Sequence, residues 1–185
     1  GRVCRGAREL GRLHLDRAPG PFNFVLTVPQ YEIERVLREY LQQRGADLWR
    51  PGVGVAEITQ ADEAMQVRGT CAGAPVEWRA AFVVGCDGRD SVVRNAAGLG
   101  WRGGAYADTF VMGDFDDATG WGDEARIIFA PDGFVESFPL PGRVRRWVAS
   151  FPHAGEPPAP ELFRAHVRQR VATDPGAAVS DLTAF

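Results

Sequence analysis

The stretch Cys86-Asp87-Gly88-Arg89-Asp90-Ser91-Val92-Val93-Arg94 holds the groups of this chain best suited to chemistry. It follows the apolar run Ala81-Phe82-Val83-Val84 and leads into Asn95-Ala96-Ala97-Gly98. The pattern predicts a buried strand, a tight acidic turn and a short helix over residues 91–97, with Asp90 or Ser91 as N-cap. At the end of a buried strand, the Asp87 carboxylate would accept hydrogen bonds from ligand hydroxyls, and the helix N–H groups would attract anions. Gly88 lets the backbone turn and approach a ligand. The alternative for Asp87 is a turn-former that only caps the next helix, and Ser91 suits either task. Arg94 either neutralises a phosphate or pairs with a carboxylate nearby, and Cys86 reads as a small buried residue.

The elements that must position this turn follow from periodicity. Residues 22–28 are rich in β-branched and aromatic side chains and predict a strand, which Pro29 stops. Ile33, Val36, Leu37, Tyr40 and Leu41 then recur at helical spacing over residues 30–44, with Gly45 as C-cap. Strands are expected at 47–50, 54–59, 65–69 and 77–84, with a turn at Ala61-Asp62-Glu63. Beyond Gly104 the pattern becomes strand throughout, at 105–114, 125–130, 134–138 and 145–151. Pro131-Asp132-Gly133 is the tight hairpin turn in that series. A proline-rich linker over 153–160 leads to an amphipathic helix at 161–171, and residues 1–20 suggest a partial strand or loop. The sequence thus predicts a mixed α+β protein divided at 1–104 and 105–185, a βα part joined to an antiparallel sheet that covers a ligand.

Gly98-Leu99-Gly100-Trp101-Arg102-Gly103 matches Gly-x-Gly-x-x-Gly letter by letter. That pattern signals dinucleotide binding only between a strand and a helix, whereas here it follows a helix and reads as a C-cap with an exit loop. Asp114, Asp116, Asp117 and Asp123 lack the spacing of a calcium loop and read as a solvated loop.

Composition narrows the partners. A formal charge of −3 over 185 residues gives no electrostatic case for nucleic acid or an anionic membrane. Three widely spaced cysteines suggest neither a disulfide framework nor a zinc site. No apolar run approaches a membrane span, and a soluble, cytoplasmic protein is expected. All 21 basic residues are arginine, which a GC-rich coding sequence explains.

Three segments together resemble one family. Cys-Asp-Gly-x-x-Ser-x-x-Arg after an apolar strand is similar to the Asp-Gly motif of FAD-dependent aromatic hydroxylases, the p-hydroxybenzoate hydroxylase-like flavin monooxygenases. Pro29-Gln30-Tyr31-Glu32-Ile33-Glu34-Arg35-Val36-Leu37 is similar to a family segment that opens a helix near the flavin. Phe138-Pro139-Leu140-Pro141-Gly142 before a Val-rich strand resembles the family's substrate-covering sheet. The resemblance implies an FAD-dependent monooxygenase, reduced by NADPH or NADH, that hydroxylates an aromatic or polyketide-like small molecule through a flavin hydroperoxide. In such chemistry the cofactor makes the difficult bonds, and the protein supplies placement and excludes water. No catalytic side chain and no metal is implied.

By the same resemblance Asp87, Gly88, Gln30 and Arg35 are expected on the cofactor, with Val55 contributing a backbone contact to adenine. Phe129, Phe138 and Trp147, together with Phe134, are the candidates for the substrate wall, although aromatics that alternate on strands are core more often than contact residues. The family's opening Gly-x-Gly-x-x-Gly turn and its closing Gly-Asp motif are missing, so the chain reads as an internal fragment that binds FAD weakly or not at all by itself. A flavin-dependent halogenase fits less well, because Phe134-Val135-Glu136-Ser137-Phe138-Pro139 carries no tryptophan. A geranylgeranyl-reductase-like enzyme would place Trp where Glu136 stands. A non-catalytic small-molecule-binding module is the alternative from another class.

Overall fold

The computed structural model describes residues 1–44, 48–104, 107–152 and 156–185. It is a mixed α+β structure with two compact units, Gly1–Arg35 with Ala105–Phe185, and Val36–Gly104. The first 35 residues group with the larger sheet and not with the residues that directly follow them. The cause is a pairing across the chain: β1 (Arg2–Arg5) lies parallel to β7 (Arg126–Ala130), in register from Arg2 with Arg126 to Arg5 with Phe129.

The larger unit is built on a seven-stranded sheet. Its remaining strands are β2 (Arg8–Arg12), β6 (Asp108–Asp116), β8 (Gly133–Leu140), β9 (Val144–Pro152) and β10 (Thr183–Ala184). The order is β10-β6-β9-β8-β7-β1-β2, and every neighbouring pair except β1 and β7 is antiparallel. Alternation sends Val111, Phe115, Val135, Trp147, Ala149 and Phe151 to one face. The helix α3 (Pro160–Val171) covers that face with Phe163 and Val167. Phe163 stacks on both Phe115 and Phe151, at centroid distances of 5.4 and 6.0 Å. Arg145 is fully buried on the same face. It donates to the Asp117 carboxylate (3.1 Å), the Ser137 hydroxyl (3.2 Å) and the carbonyls of Glu124 (3.0 Å) and Gly122 (2.5 Å). A desolvated guanidinium is tolerable here because its donors are used on all sides.

The smaller unit contains an antiparallel three-stranded sheet, β3 (Val53–Ala61), β4 (Ala64–Cys71) and β5 (Ala74–Ala80). The short helix α2 (Val92–Ala96) packs on β3. The helix α1 (Gln30–Gln43) begins in the larger unit and ends in the smaller, and none of its residues is buried.

Several expectations need correction. Residues 22–28 and 48–50 form no strand, and strand β5 ends at Ala80, so the expected buried strand over 77–84 does not exist. Phe82 and Val84 are 87% and 83% exposed. The side-chain preference is present there, but a strand also needs a neighbour to bond its N–H and C=O groups, and no described residue supplies one. Asp114 and Asp117 are not solvated loop residues: Arg146 grips Asp114 with two bonds of 2.7 and 3.0 Å, and Arg145 holds Asp117. Cys86 is exposed, not buried. Gly45, Asp47, Ala105 and the start of the 153–160 linker lie outside the described residues.

Candidate functional site

In the smaller unit the Asp87 carboxylate is turned onto the start of α2. It accepts from the Ser91 hydroxyl (2.5 Å) and from the N–H groups of Val92 (2.7 Å) and Val93 (3.2 Å). Ser91 in turn accepts from the Arg94 N–H at 3.0 Å and is the N-cap. Ser91's hydroxyl, with the N–H groups of Val93 and Val92, holds the Asp87 carboxyl below the usual aspartate range, against a smaller opposing effect of burial. Asp87's own N–H also favours the charged form, so the turn itself engages most of the roughly four acceptor positions of the carboxylate.

Glycines shape the turn in two ways. Gly88 has a φ of +77° with open space around its Cα, so it is required for conformation. Gly85 is required for space: a Cβ there would stand 2.6 Å from Cβ of Val93 and 3.0 Å from the Asp87 carboxylate. Nothing in the periodicity marks Gly85; only its place directly before Cys86-Asp87-Gly88 could have drawn attention to it. The helix closes with Gly98 at φ +67°, where the Leu99 N–H reaches the Arg94 carbonyl (3.1 Å) and the Gly98 N–H that of Asn95 (3.0 Å). This paired closure confirms Gly98-Leu99-Gly100 as a helix C-cap. Arg94 donates to the Arg89 carbonyl (2.6 Å) and lies over the Trp101 ring, a structural role.

Val55 stands next to a bulge. The β3–β4 register slips between Val55 and Glu57, leaving Ala56 outside the ladder and its neighbourhood open to other partners. Gln30 Nε2 donates to Glu34 (3.0 Å), and Arg35 pairs with Glu32 (2.9 Å).

The larger unit holds an apolar cavity of about 470 Å³. Its floor is the sheet face opposite α3, where Ile127 and Phe138 project; Val25, Leu26 and Leu15 form the other wall. Residues 25–27 thus serve as a cavity wall instead of a strand, tied by the Thr27 hydroxyl, which donates to the Pro139 carbonyl. Size and lining suit a small organic molecule. Phe138 lines the cavity, and Phe129 lies half-exposed on the same sheet face against Phe134. Trp147 does not belong to this wall. Its side chain is fully buried on the α3 side beside Trp121, so it is core. No group of three or more His, Cys, Asp or Glu able to hold a metal occurs among the described residues, and no described helix is long and apolar enough to cross a membrane.

Comparison with known proteins places this geometry. Residues 5–183 match the model of the FAD binding domain family, and the chain belongs to that family. It is 34% identical over 103 residues to a flavin-dependent monooxygenase of Mycobacteroides abscessus, covering 55% of this chain and 22% of that protein. It is 29% identical over 150 residues to the 12-dehydrotetracycline 5-monooxygenase/anhydrotetracycline 6-monooxygenase of Streptomyces rimosus, covering 78% of this chain and 27% of that one. Among solved structures it resembles CabE, an aromatic hydroxylase from angucycline biosynthesis, with a TM-score of 0.64 at 30% identity over 85% of this chain and 33% of CabE. The chain therefore spans about a fifth to a third of the length of these relatives.

Proposed function

We propose that this chain is part of an FAD-dependent monooxygenase that uses NADPH or NADH to hydroxylate an aromatic or polyketide-like small molecule. The observation that carries the reading is the apolar cavity on the free face of the larger sheet, in a chain of the FAD binding domain family. The bound flavin, once reduced, supplies the activation and transfer of oxygen. The protein's own residues divide the remaining work. Phe138, Ile127 and Leu26 offer a dry surface on which a planar substrate rests, and Phe129 extends that surface along the sheet. The Asp87 carboxylate receives a cofactor hydroxyl, and Gly88 keeps the turn narrow enough for that approach. Gln30, Arg35 and the backbone near Val55 complete the cofactor contacts.

The full-length protein is expected to purify yellow and to consume NAD(P)H with oxygen when given polycyclic phenols. A colourless full-length protein that takes up no FAD would overturn the proposal. Asp87→Ala is expected to impair flavin retention or reduction by NAD(P)H. Ser91→Ala is the control, since it weakens the same helix cap while keeping the carboxylate; equal behaviour of the two variants removes Asp87 from the site.

A further inference from the structure

On the face of the larger sheet opposite α3, Glu136 stands among apolar neighbours, while the charged pair Arg146–Asp114 occupies the adjoining row. In the register row Met112–Val148–Glu136–Ile127–Val3, which crosses five neighbouring strands, Glu136 is the only polar side chain. Along β8 its same-face neighbours are Phe134 and Phe138. Beyond Phe134 lies an aromatic group, with Phe110 and Phe129 at 5.4 and 6.4 Å from the Phe134 ring. On the other side Ile127 and Phe138 reach into the cavity. Glu136 does not itself line the cavity, whose polar lining residues include Arg2 and Asp123, but it lies next to two residues that do, its register partner Ile127 and its same-face neighbour Phe138.

A carboxylate in such company normally has a cation or a donor beside it. Among the described residues Glu136 makes no hydrogen bond and no ion pair, although it is only partly exposed. Arg146, a basic residue on this face in the row of Phe138, spends its guanidinium on the bidentate grip of Asp114. Burial alone pushes the Glu136 carboxyl above the usual glutamate range, as expected for an acceptor with no donor to compensate its desolvation.

We infer that Glu136, beside the cavity, is a specificity-determining residue for a substrate that extends from the cavity along the sheet, accepting a hydrogen bond from a hydroxyl or N–H group of an otherwise apolar aromatic molecule. The inference rests on the monooxygenase reading for its substrate class, and on the sheet register for its geometry. An apolar floor gives affinity for any flat molecule but little discrimination. A single carboxylate recognises the molecule that brings it a donor, because the analogue lacking that donor leaves the acceptor unpaired. The nearby aromatic side chains limit the position of the donor to the edge of the ring system.

The test uses the full-length, FAD-loaded protein and two probes of nearly equal shape, 2-naphthol and 2-methoxynaphthalene. Binding is read from the change in tryptophan fluorescence. Wild type is expected to prefer the phenol by about tenfold or more, the size of one hydrogen bond to a charged acceptor. Glu136→Leu is expected to bring the two affinities within about twofold by weakening the phenol alone, and Glu136→Gln to retain part of the preference. A wild-type protein that shows no preference, whether by equal binding or by no binding, overturns the inference. A Leu variant that discriminates like wild type also overturns it. Flavin content, measured on the same samples by absorbance, separates the outcomes: protein that holds FAD but ignores the Glu136 substitution sinks this inference only, whereas protein without FAD sinks the functional reading itself.

Discussion

The two units treat their apolar residues in opposite ways. In the larger unit the alternating strands β6, β8 and β9 bury one face under α3, and Trp147, Phe115, Val111 and Phe163 lose all contact with solvent. Among the described residues of the smaller unit only Ile58 of the large apolar side chains is buried, while Phe82, Val84, Leu99 and Trp101 stand at the surface. Its order comes from the β3–β4–β5 ladder and from the capped turn of Asp87 and Ser91. Both regions carry strand-forming residues, but hydrophobic stabilisation scales with the area removed from water. The larger unit therefore owns a core, and the smaller one relies on hydrogen bonds placed at particular atoms.

Four substitutions or conditions test that contrast. Trp147→Ala is expected to have the largest effect, a loss of about 3–5 kcal/mol of unfolding free energy in denaturant titration, from lost burial and the cavity left behind. A loss below about 1 kcal/mol would show that the α3-covered face is not the core. Ser91→Ala is expected to cost about 1 kcal/mol, confined to the smaller unit, and to speed amide exchange in α2 while leaving β9 unchanged. Acid should act next. Because the Asp87 carboxyl titrates below its ordinary value when folded, its support of α2 is complete above the ordinary aspartate pKa of about 4 and is lost as pH falls through the lowered value. Amide chemical shifts of Val92 and Val93 followed down in pH report this, and Asp87→Asn should abolish the transition. Phe82→Ala is the smallest, within about 0.5 kcal/mol, as for any surface position. A cost of several kcal/mol there would reveal that something outside the described residues covers Phe82.

Part of the molecule was legible beforehand. The helix at Gln30–Gln43, the hairpin through Pro131-Asp132-Gly133 and the strands β3, β4, β7 and β9 appear within a few residues of where periodicity put them, since each is set by local pattern and turn chemistry. The acidic turn of Asp87 and Gly88 and its short helix are legible because they have a compact local signature. Trp147 was misplaced because alternation says that two faces exist but not which one a helix covers. The parallel pairing of β1 with β7 was invisible, because it joins segments more than 120 residues apart and leaves no trace in either.

By its own residues the sequence determined the acidic turn, its glycine and its cap, together with the family to which the chain belongs, because these depend on neighbours a few positions away. Only the tertiary structure decided that residues 25–27 wall a cavity, that Arg145 is buried and satisfied, and that Glu136 stands unpaired amid apolar neighbours. Each of those is a matter of which distant strands lie side by side, and register between strands is set by the burial of a whole face and not by any one segment.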